Sequence, residues 1–349
     1  VKPVTVPFFI SHQGCPHTCV FCDQRTISGS QGALPTAEQL LARCEAWRVT
    51  AAGRPLEVAF FGGSFSALPH GTQAALLEPL QPLLKRGELA AIRISTRPDY
   101  IDDQRVEWLA ARGVRIIELG VQSLDDSVLA ASGRGHTAAA SVQAIACVRA
   151  HGLQAGAQLM PGLPGDTPVS ALESLKRAIT AGADFIRLYP TVVLRGTELA
   201  RRYAGGDFVP LDLGRGIALC KILLQQAMRS GTPVIRIGLQ ADAGLNNDTV
   251  LAGCWHPALG QLVRSQLYAD LIDRFVADGS HATVLCHPAR LSDVIGLKRS
   301  TLEVLSRRGV QLRVSPDASL VKEEITIKTN QSCSSRSIIY DLNYSMYEV

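Results

Sequence analysis

The stretch VTVPFFISHQGCPHTCVFC, residues 4 to 22, decides how the rest of the chain is read. Its first half concentrates β-branched and aromatic residues (Val4, Thr5, Val6, Phe8, Phe9), which reads as a strand over 4–11. Its second half cannot continue that strand. Gly14 and Pro16 interrupt it, and Cys15, Cys19 and Cys22 follow in the spacing CxxxCxxC. Three thiols on a loop just after a strand put reactive groups at the strand's C-terminal end, the face on which parallel α/β folds carry their chemistry.

The same unit recurs outward from there. LEVAFFG (56–62), AAIRIST (90–96), VRIIELG (114–120), LQAGAQLM (153–160) and DFIRLYP (184–190) read as further strands. Between them, TAEQLLARCEAWRVTAA (36–52) begins with Thr36 as a helix cap, and DDQRVEWLAARG (102–113) ends on a glycine. Helices also fit 137–151, 168–181 and 211–229, where apolar residues fall three and four apart. Strands and helices in strict alternation imply a parallel sheet. Unusual residues follow the first five strands, and loops that converge on one site favour a barrel over an open layer. The expected fold is α/β, a partial (β/α)6 TIM-like barrel.

After about residue 232 the rhythm changes. A long helix over 256–275, a strand over 281–287, a helix over 297–309 and strands in VQLRVSP and SLVKEEITIK read as a small α+β extension. The expected organisation is a barrel domain over 1–232, the extension over 233–330, and a tail over 331–349 that shows no clean period. No internal repeat or low-complexity tract is present.

Composition sets the outer bounds. With 46% hydrophobic and 19% charged residues in 349, the chain is an ordinary globular one. No window approaches eighteen uninterrupted apolar residues and no secretory leader opens the sequence, so a cytoplasmic protein without a membrane partner is expected. A net charge of +4 permits an anionic partner without requiring one. Nine cysteines are an odd number, and Cys44, Cys147, Cys220, Cys254, Cys286 and Cys333 follow no framework spacing, which argues for a reducing compartment.

Three clustered cysteines have several uses. Structural zinc wants four ligands, and only His12 or His17 stands near enough to be the fourth. Three thiolates on a cubane iron–sulfur cluster would instead leave one iron without a protein ligand.

CxxxCxxC after the first strand resembles the radical S-adenosylmethionine (SAM) superfamily, in which three such cysteines hold a [4Fe–4S] cluster whose open iron chelates SAM. There, one electron from the cluster splits the sulfonium and releases a 5′-deoxyadenosyl radical. The resemblance assigns Cys15, Cys19 and Cys22 to the cluster. In FFGGSFS (60–66) it assigns Gly62 and Gly63 to the SAM amino group through backbone carbonyls, although a tight turn alone also asks for glycine. In STRPDY (95–100) it offers Ser95 and Arg97 as SAM contacts. Gln122 of GVQSLDD and Arg134 of SGRGHT match positions that hold the ribose and carboxylate in the porphyrin-oxidising branch. A guanidinium suits a carboxylate. QLMPGLPGDT (158–167) would lie against the adenine, with Gln158 as a ribose contact.

Taken together and in order, STRPDYID, ELGVQS, GRGHT, MPGLPGDT and RLYPTVVLRGTEL resemble, over roughly 8–240, the radical SAM domain of the Elongator catalytic subunit and its stand-alone bacterial relatives. Two features depart from that subunit. Its first two cluster cysteines are further apart, and it carries an acetyltransferase domain whose RxxGxG/A loop is not found in this sequence. Oxygen-independent coproporphyrinogen oxidase is a more distant likeness, since its CxxxCxxCxC pattern meets Gln24 here.

The resemblance implies an enzyme that cleaves SAM reductively and abstracts hydrogen from an organic substrate, with a nucleotide in RNA as one candidate. It also implies oxygen sensitivity and an electron donor such as flavodoxin or ferredoxin. The alternative is a haem- or cluster-carrying relative without radical turnover. Other residues have plainer expectations. Cys44, Cys147 and Cys220 fall on apolar helix faces and are expected in the core. Cys254 with His256 and Cys286 with His287 could pair as metal ligands. Tyr189 and Tyr203 could relay a radical or stack a base, with packing as the plainer expectation. Lys298, Arg299, Arg307, Arg308 and Arg313 make the extension locally basic, as an RNA-facing patch or a solvated helix face would be.

Overall fold

In the computed structural model, which describes residues 2–16, 18–28, 33–239, 244–246, 248–330 and 332–346, every strand read in the first two hundred residues is present. They are β1 (Val4–Phe9), β2 (Leu56–Phe61), β3 (Leu89–Thr96), β4 (Val114–Gln122), β5 (Gln154–Leu159) and β6 (Phe185–Leu188). A short β7 (Val192–Leu194) follows, and β8 (Val234–Ile237) adds a seventh member to the main sheet. The order β1-β2-β3-β4-β5-β6-β8 is wholly parallel. Each strand is laid beside its predecessor in one direction, so the twist accumulates and the sheet curls into a half-barrel. No ladder joins β1 to β8, and the barrel stays open between its edges.

This is the expected α/β fold carried one strand further than six. The four residues of β8 are too few and too half-exposed to show a period, and the strand lies just past residue 232.

Local sequence explains the outer helices. Thr36 caps Ala37–Thr50 in a reciprocal capping box with Gln39, and Asp102, Thr137, Thr167 and Asp212 cap the helices beginning at Asp103, Ala138, Pro168 and Leu213. Each such cap stabilises its helix by about 1 kcal/mol. The apolar stripes of these helices bury against the sheet, where Val58, Phe60, Ile92, Ile94, Ile117 and Ile186 are fully excluded from water. Burial of each large side chain contributes about 1.5–3 kcal/mol. Pro7 is tolerated within β1 because that strand lies at the sheet's edge.

The C-terminal part forms a second sheet, with β10 (His281–Cys286), β11 (Gln311–Pro316), β12 (Glu324–Thr329) and β13 (Cys333–Ser337) in the order β11-β10-β12-β13. The tail over 331–349, whose sequence shows no clean period, thus contributes an antiparallel edge strand paired to β12. Beyond it the chain docks on the long helices. Gln225 Nε2 donates to the carbonyls of Ile338 and Leu342 at 2.9 Å each, and the Tyr344 hydroxyl donates to Asp270 at 2.7 Å. A short antiparallel pair, β7 with β9 (Val250–Gly253), lies apart from both sheets. No helix among the described residues is long and apolar enough to cross a membrane.

Candidate active site

The strand ends meet at one cavity of about 280 Å³. It is lined by Cys15, Cys19 and Cys22, and by all of Gly62, Gly63, Ser95, Arg97, Gln122, Arg134 and Gln158. These come from the ends of β1 to β5, so residues separated by more than a hundred positions face one space because parallel strands all point their C-termini the same way.

The cysteine loop is fastened to β2. His12, at a left-handed φ of 59°, donates its N–H to the Gly62 carbonyl at 2.9 Å, and Ser64 N–H donates to the Gln13 carbonyl at 2.8 Å. A Cβ on Gly63 would lie 2.5 Å from the carbonyl oxygens of both Ile10 and Gln13, and one on Gly14 would lie 2.2 Å from the Ser64 oxygen. The glycines are therefore required first by close backbone approach, and one of the two turn carbonyls is already an acceptor for the cysteine loop. His12 Nε2 accepts the Gln24 N–H at 2.9 Å, which commits that nitrogen within the loop. His17 lies outside the described residues.

The three thiols fit a cluster better than a single ion. Among the described residues, the one group of three or more ligand atoms mutually within 4.8 Å is Asp103, Cys147 and His151, so the sulfurs of Cys15, Cys19 and Cys22 spread wider than that. Thiolates on one tetrahedral zinc would sit about 3.8 Å apart, from Zn–S bonds of about 2.3 Å. Burial, and then the neighbouring thiols Cys19 and Cys15, push the Cys22 thiol up to about 12, while burial and Cys19 raise Cys15.

Around this loop the polar residues are positioned by one another. Ser64, Ser66 and Thr96 form a buried hydroxyl chain, with Ser66 Oγ to Thr96 Oγ1 at 2.6 Å and Ser64 Oγ to Thr96 Oγ1 at 3.1 Å. Arg97 is buried and forks onto Asp99 through Nε at 2.9 Å and Nη2 at 2.8 Å. Arg134, also buried, reaches back to the cysteines. Its Nη1 lies 3.3 Å from Cys19 Sγ, its Nη2 donates to the Gly120 carbonyl, and its Nε donates to His136 Nε2 at 3.2 Å. Burial, followed by the Arg134 charge, lowers His136 to about 4 and keeps that ring neutral and accepting.

Gln122 takes φ of 67° where the β4–β5 ladder slips register, a left-handed conformation that costs a non-glycine residue roughly 1–3 kcal/mol. Its side-chain oxygen accepts from Gln158 Nε2 at 3.3 Å, and its carbonyl accepts from Met160 N–H at 2.8 Å. Strain held at a cavity wall by a partner on the next strand aims the amide into the site.

Several residues of the site escaped the sequence reading. Glu118, Arg187 and Arg236 line the cavity, and Glu57 and Arg93 extend the charges across the barrel interior. Arg93 binds Glu57 at 2.8 Å and Glu118 at 2.6 Å, and Arg187 approaches Glu118 at 2.9 Å. The available signal was one charged residue inside each of several otherwise apolar strands: LEVAFF, AIRIST, IIELG, FIRL. Tyr189, expected to pack, lines the cavity, whereas Tyr203 is exposed.

The remaining expectations divide. Cys44 and Cys220 are core residues, but Cys147 is only half-buried, because its thiol turns to Asp103 at 3.4 Å where two helix ends meet. Cys254 and Cys286 are buried, and no metal-ligand group assembles from them with His256 and His287 among the described residues. Both histidines instead accept backbone N–H groups two residues on, at Ala258 and Ala289. Arg308 of the basic extension is neutralised by Asp273 and Asp278.

Comparison with known proteins agrees with this geometry. The chain is 27% identical over 248 residues to the tRNA uridine(34) acetyltransferase of Methanocaldococcus jannaschii, covering 59% of this chain and 45% of that protein. It is 28% identical over 173 residues to Elongator complex protein 3 of Schizosaccharomyces pombe, covering 44% of this chain and 32% of that one. The chain thus spans less than half the length of either relative. Among solved structures, Methanocaldococcus infernus Elp3 with an N-terminal deletion superposes with a TM-score of 0.60 at 22% identity, over 78% of this chain and 62% of that one, a likeness of fold. The radical SAM superfamily profile matches residues 9–178 and the radical SAM C-terminal domain profile matches 183–269. With both profiles in sequence across most of the chain, this protein belongs to the radical SAM superfamily and is an enzyme of that type.

Proposed function

We propose that this enzyme cleaves SAM reductively at a [4Fe–4S] cluster held by Cys15, Cys19 and Cys22, and takes hydrogen from an organic substrate, a nucleotide within RNA. The observation that carries the reading is the convergence of those cysteines with Gly62, Gly63, Ser95, Arg97, Gln122, Arg134 and Gln158 on one cavity. When bound, the cluster and SAM supply the electron and the 5′-deoxyadenosyl radical. The chain's own residues bind, orient and enclose. The β2 turn fixes the cysteine loop, Arg134 offers a cation beside Cys19 to meet the SAM carboxylate, and Gln122 with Gln158 offers amides to the ribose. Phe9, Phe61, Met160, Val192 and Leu194 give the cavity apolar walls that exclude water from a radical.

The RNA part rests on relatives named as tRNA uridine(34) acetyltransferases, of which this chain matches less than half. A reductant of the flavodoxin or ferredoxin type would deliver the electron. The test is anaerobic turnover with a tRNA pool and SAM, followed by nucleoside mass spectrometry. A new or deuterium-exchanged nucleoside, formed only with intact Cys19, is expected. An unchanged nucleoside profile with SAM cleavage intact would move the substrate outside RNA.

A further inference from the structure

We propose that Arg187 and Arg236 form a subsite for an oxyanion of the substrate, a carboxylate or a phosphate, at the open edge of the half-barrel. The proposal rests on the reading that substrate enters the cavity described above.

The two arginines are register partners on β6 and β8, and both line the cavity. Neighbouring strands lie about 4.8 Å apart, so two like charges on one face repel unless an anion joins them. The acid nearest to hand is shared between Arg93 and Arg187. Glu118 gives Oε1 to Arg93 at 2.6 Å, and although its Oε2 lies 2.9 Å from Arg187 Nη1, that contact lacks hydrogen-bond alignment. Glu118 Oε2 and Arg187 Nε are both buried without a hydrogen-bond partner. That Nε is closed to a ligand as well, so what Arg187 presents to the cavity is the part of its side chain that stays 18% exposed.

Arg236 has a different surplus. Its Nε donates to the Gly238 carbonyl at 3.2 Å, and no carboxylate of the described residues lies within 4.0 Å of it. It is half-buried on the edge strand, where the barrel stays open towards β1. Arg187 is meanwhile held over the Phe61 ring at 5.3 Å and the Tyr189 ring at 5.9 Å, which fixes the plane of its fork. One arginine is thus aimed and under-bonded, and the next meets no acid among the described residues at the entrance. That arrangement suits a two-arginine clamp on a group with several acceptor oxygens. It stands on the last two strands of the sheet, whereas Arg134 lies against Cys19.

The test uses the anaerobically reconstituted full chain with SAM bound, titrated with inorganic phosphate and separately with malonate, and read by the thermal unfolding midpoint. Either anion should raise the wild-type midpoint saturably, more at low salt, and their ranking distinguishes a phosphate from a carboxylate substrate. R236Q should weaken that binding about tenfold or more, R236K less, while R201Q on an exposed helix leaves it unchanged. R187Q also strips the partner of buried Glu118, so R236Q is the decisive variant. SAM affinity in R236Q should stay within about twofold of wild type.

A wild type indifferent to both anions, an R236Q that binds them as well as wild type, or a parallel loss of SAM affinity would each overturn the subsite. Failure of the wild type to release 5′-deoxyadenosine, with anion binding intact, would sink the SAM-cleavage reading and leave the subsite standing.

Discussion

Replacing Gly63 by alanine should empty the cysteine loop of iron while sparing the rest of the fold. The added Cβ would stand 2.5 Å from the carbonyl oxygens of Ile10 and Gln13, where ordinary contact begins at 3.4 Å. Both obstacles are main-chain atoms, so no flexible side chain can swing away, and the loop must retreat by about an ångström. Overpacking of this kind costs about 1–3 kcal/mol. Retreat also stretches the bonds from His12 to Gly62 at 2.9 Å and from Ser64 to Gln13 at 2.8 Å, each contributing about 0.5–1.5 kcal/mol. The sum, roughly 2–6 kcal/mol, falls on the segment that presents Cys15 and Cys19. Iron and sulfide content after anaerobic reconstitution, read beside circular-dichroism melting, should show a folded protein that has lost most of its cluster. Gly71→Ala is the matched control, because nothing lies within 4 Å of its added carbon and the residue sits in the helix His70–Leu77. That variant should keep full iron. A Gly63→Ala protein with wild-type iron content and an unchanged melting midpoint would refute the coupling of the β2 turn to the cysteines.

Arg134→Gln should retain iron and lose SAM affinity about tenfold or more by equilibrium dialysis, since a buried guanidinium beside Cys19 is replaced by a neutral amide. His136, lowered to about 4 by burial and by Arg134, binds a proton more readily in the unfolded chain, where its value is near 6.5. Stability should therefore fall as pH drops from about 6.5 to about 4, by about 3 kcal/mol in all, and urea titrations of His136→Gln should lack that slope. Gln225→Ala deprives the buried Ile338 carbonyl of its donor, while Leu342 keeps Arg229 Nη2 at 2.6 Å, and should cost about 1–2 kcal/mol by urea unfolding, with unchanged stability counting against a docked tail.

Much of the fold was legible because its signals are local. Thr36, Asp102, Thr137 and Thr167 announce helix starts, and runs such as LEVAFF announce strands buried on both faces. The cysteine loop and the glycine turn were legible as a resemblance, and their convergence follows from strand polarity. What stayed hidden depends on contacts across the sheet. The Glu57–Arg93–Glu118–Arg187 network exists only once β2, β3, β4 and β6 curl together, and no single window shows that these charges meet. Arg134 was expected to face SAM, yet its bond towards Cys19 spans 115 positions. The tail's strand was missed because Cys333–Ser337 is mostly polar and is held by pairing to β12 instead of by an apolar face.

The most direct measurement is release of 5′-deoxyadenosine from SAM by the anaerobically reconstituted, dithionite-reduced protein, compared with Cys15→Ala, Cys19→Ala and Cys22→Ala variants prepared alongside. Wild-type protein should release it, and each cysteine variant should release none. A reduced wild type with a confirmed cluster and bound SAM that yields no 5′-deoxyadenosine, with or without RNA, would contradict reductive cleavage at this site.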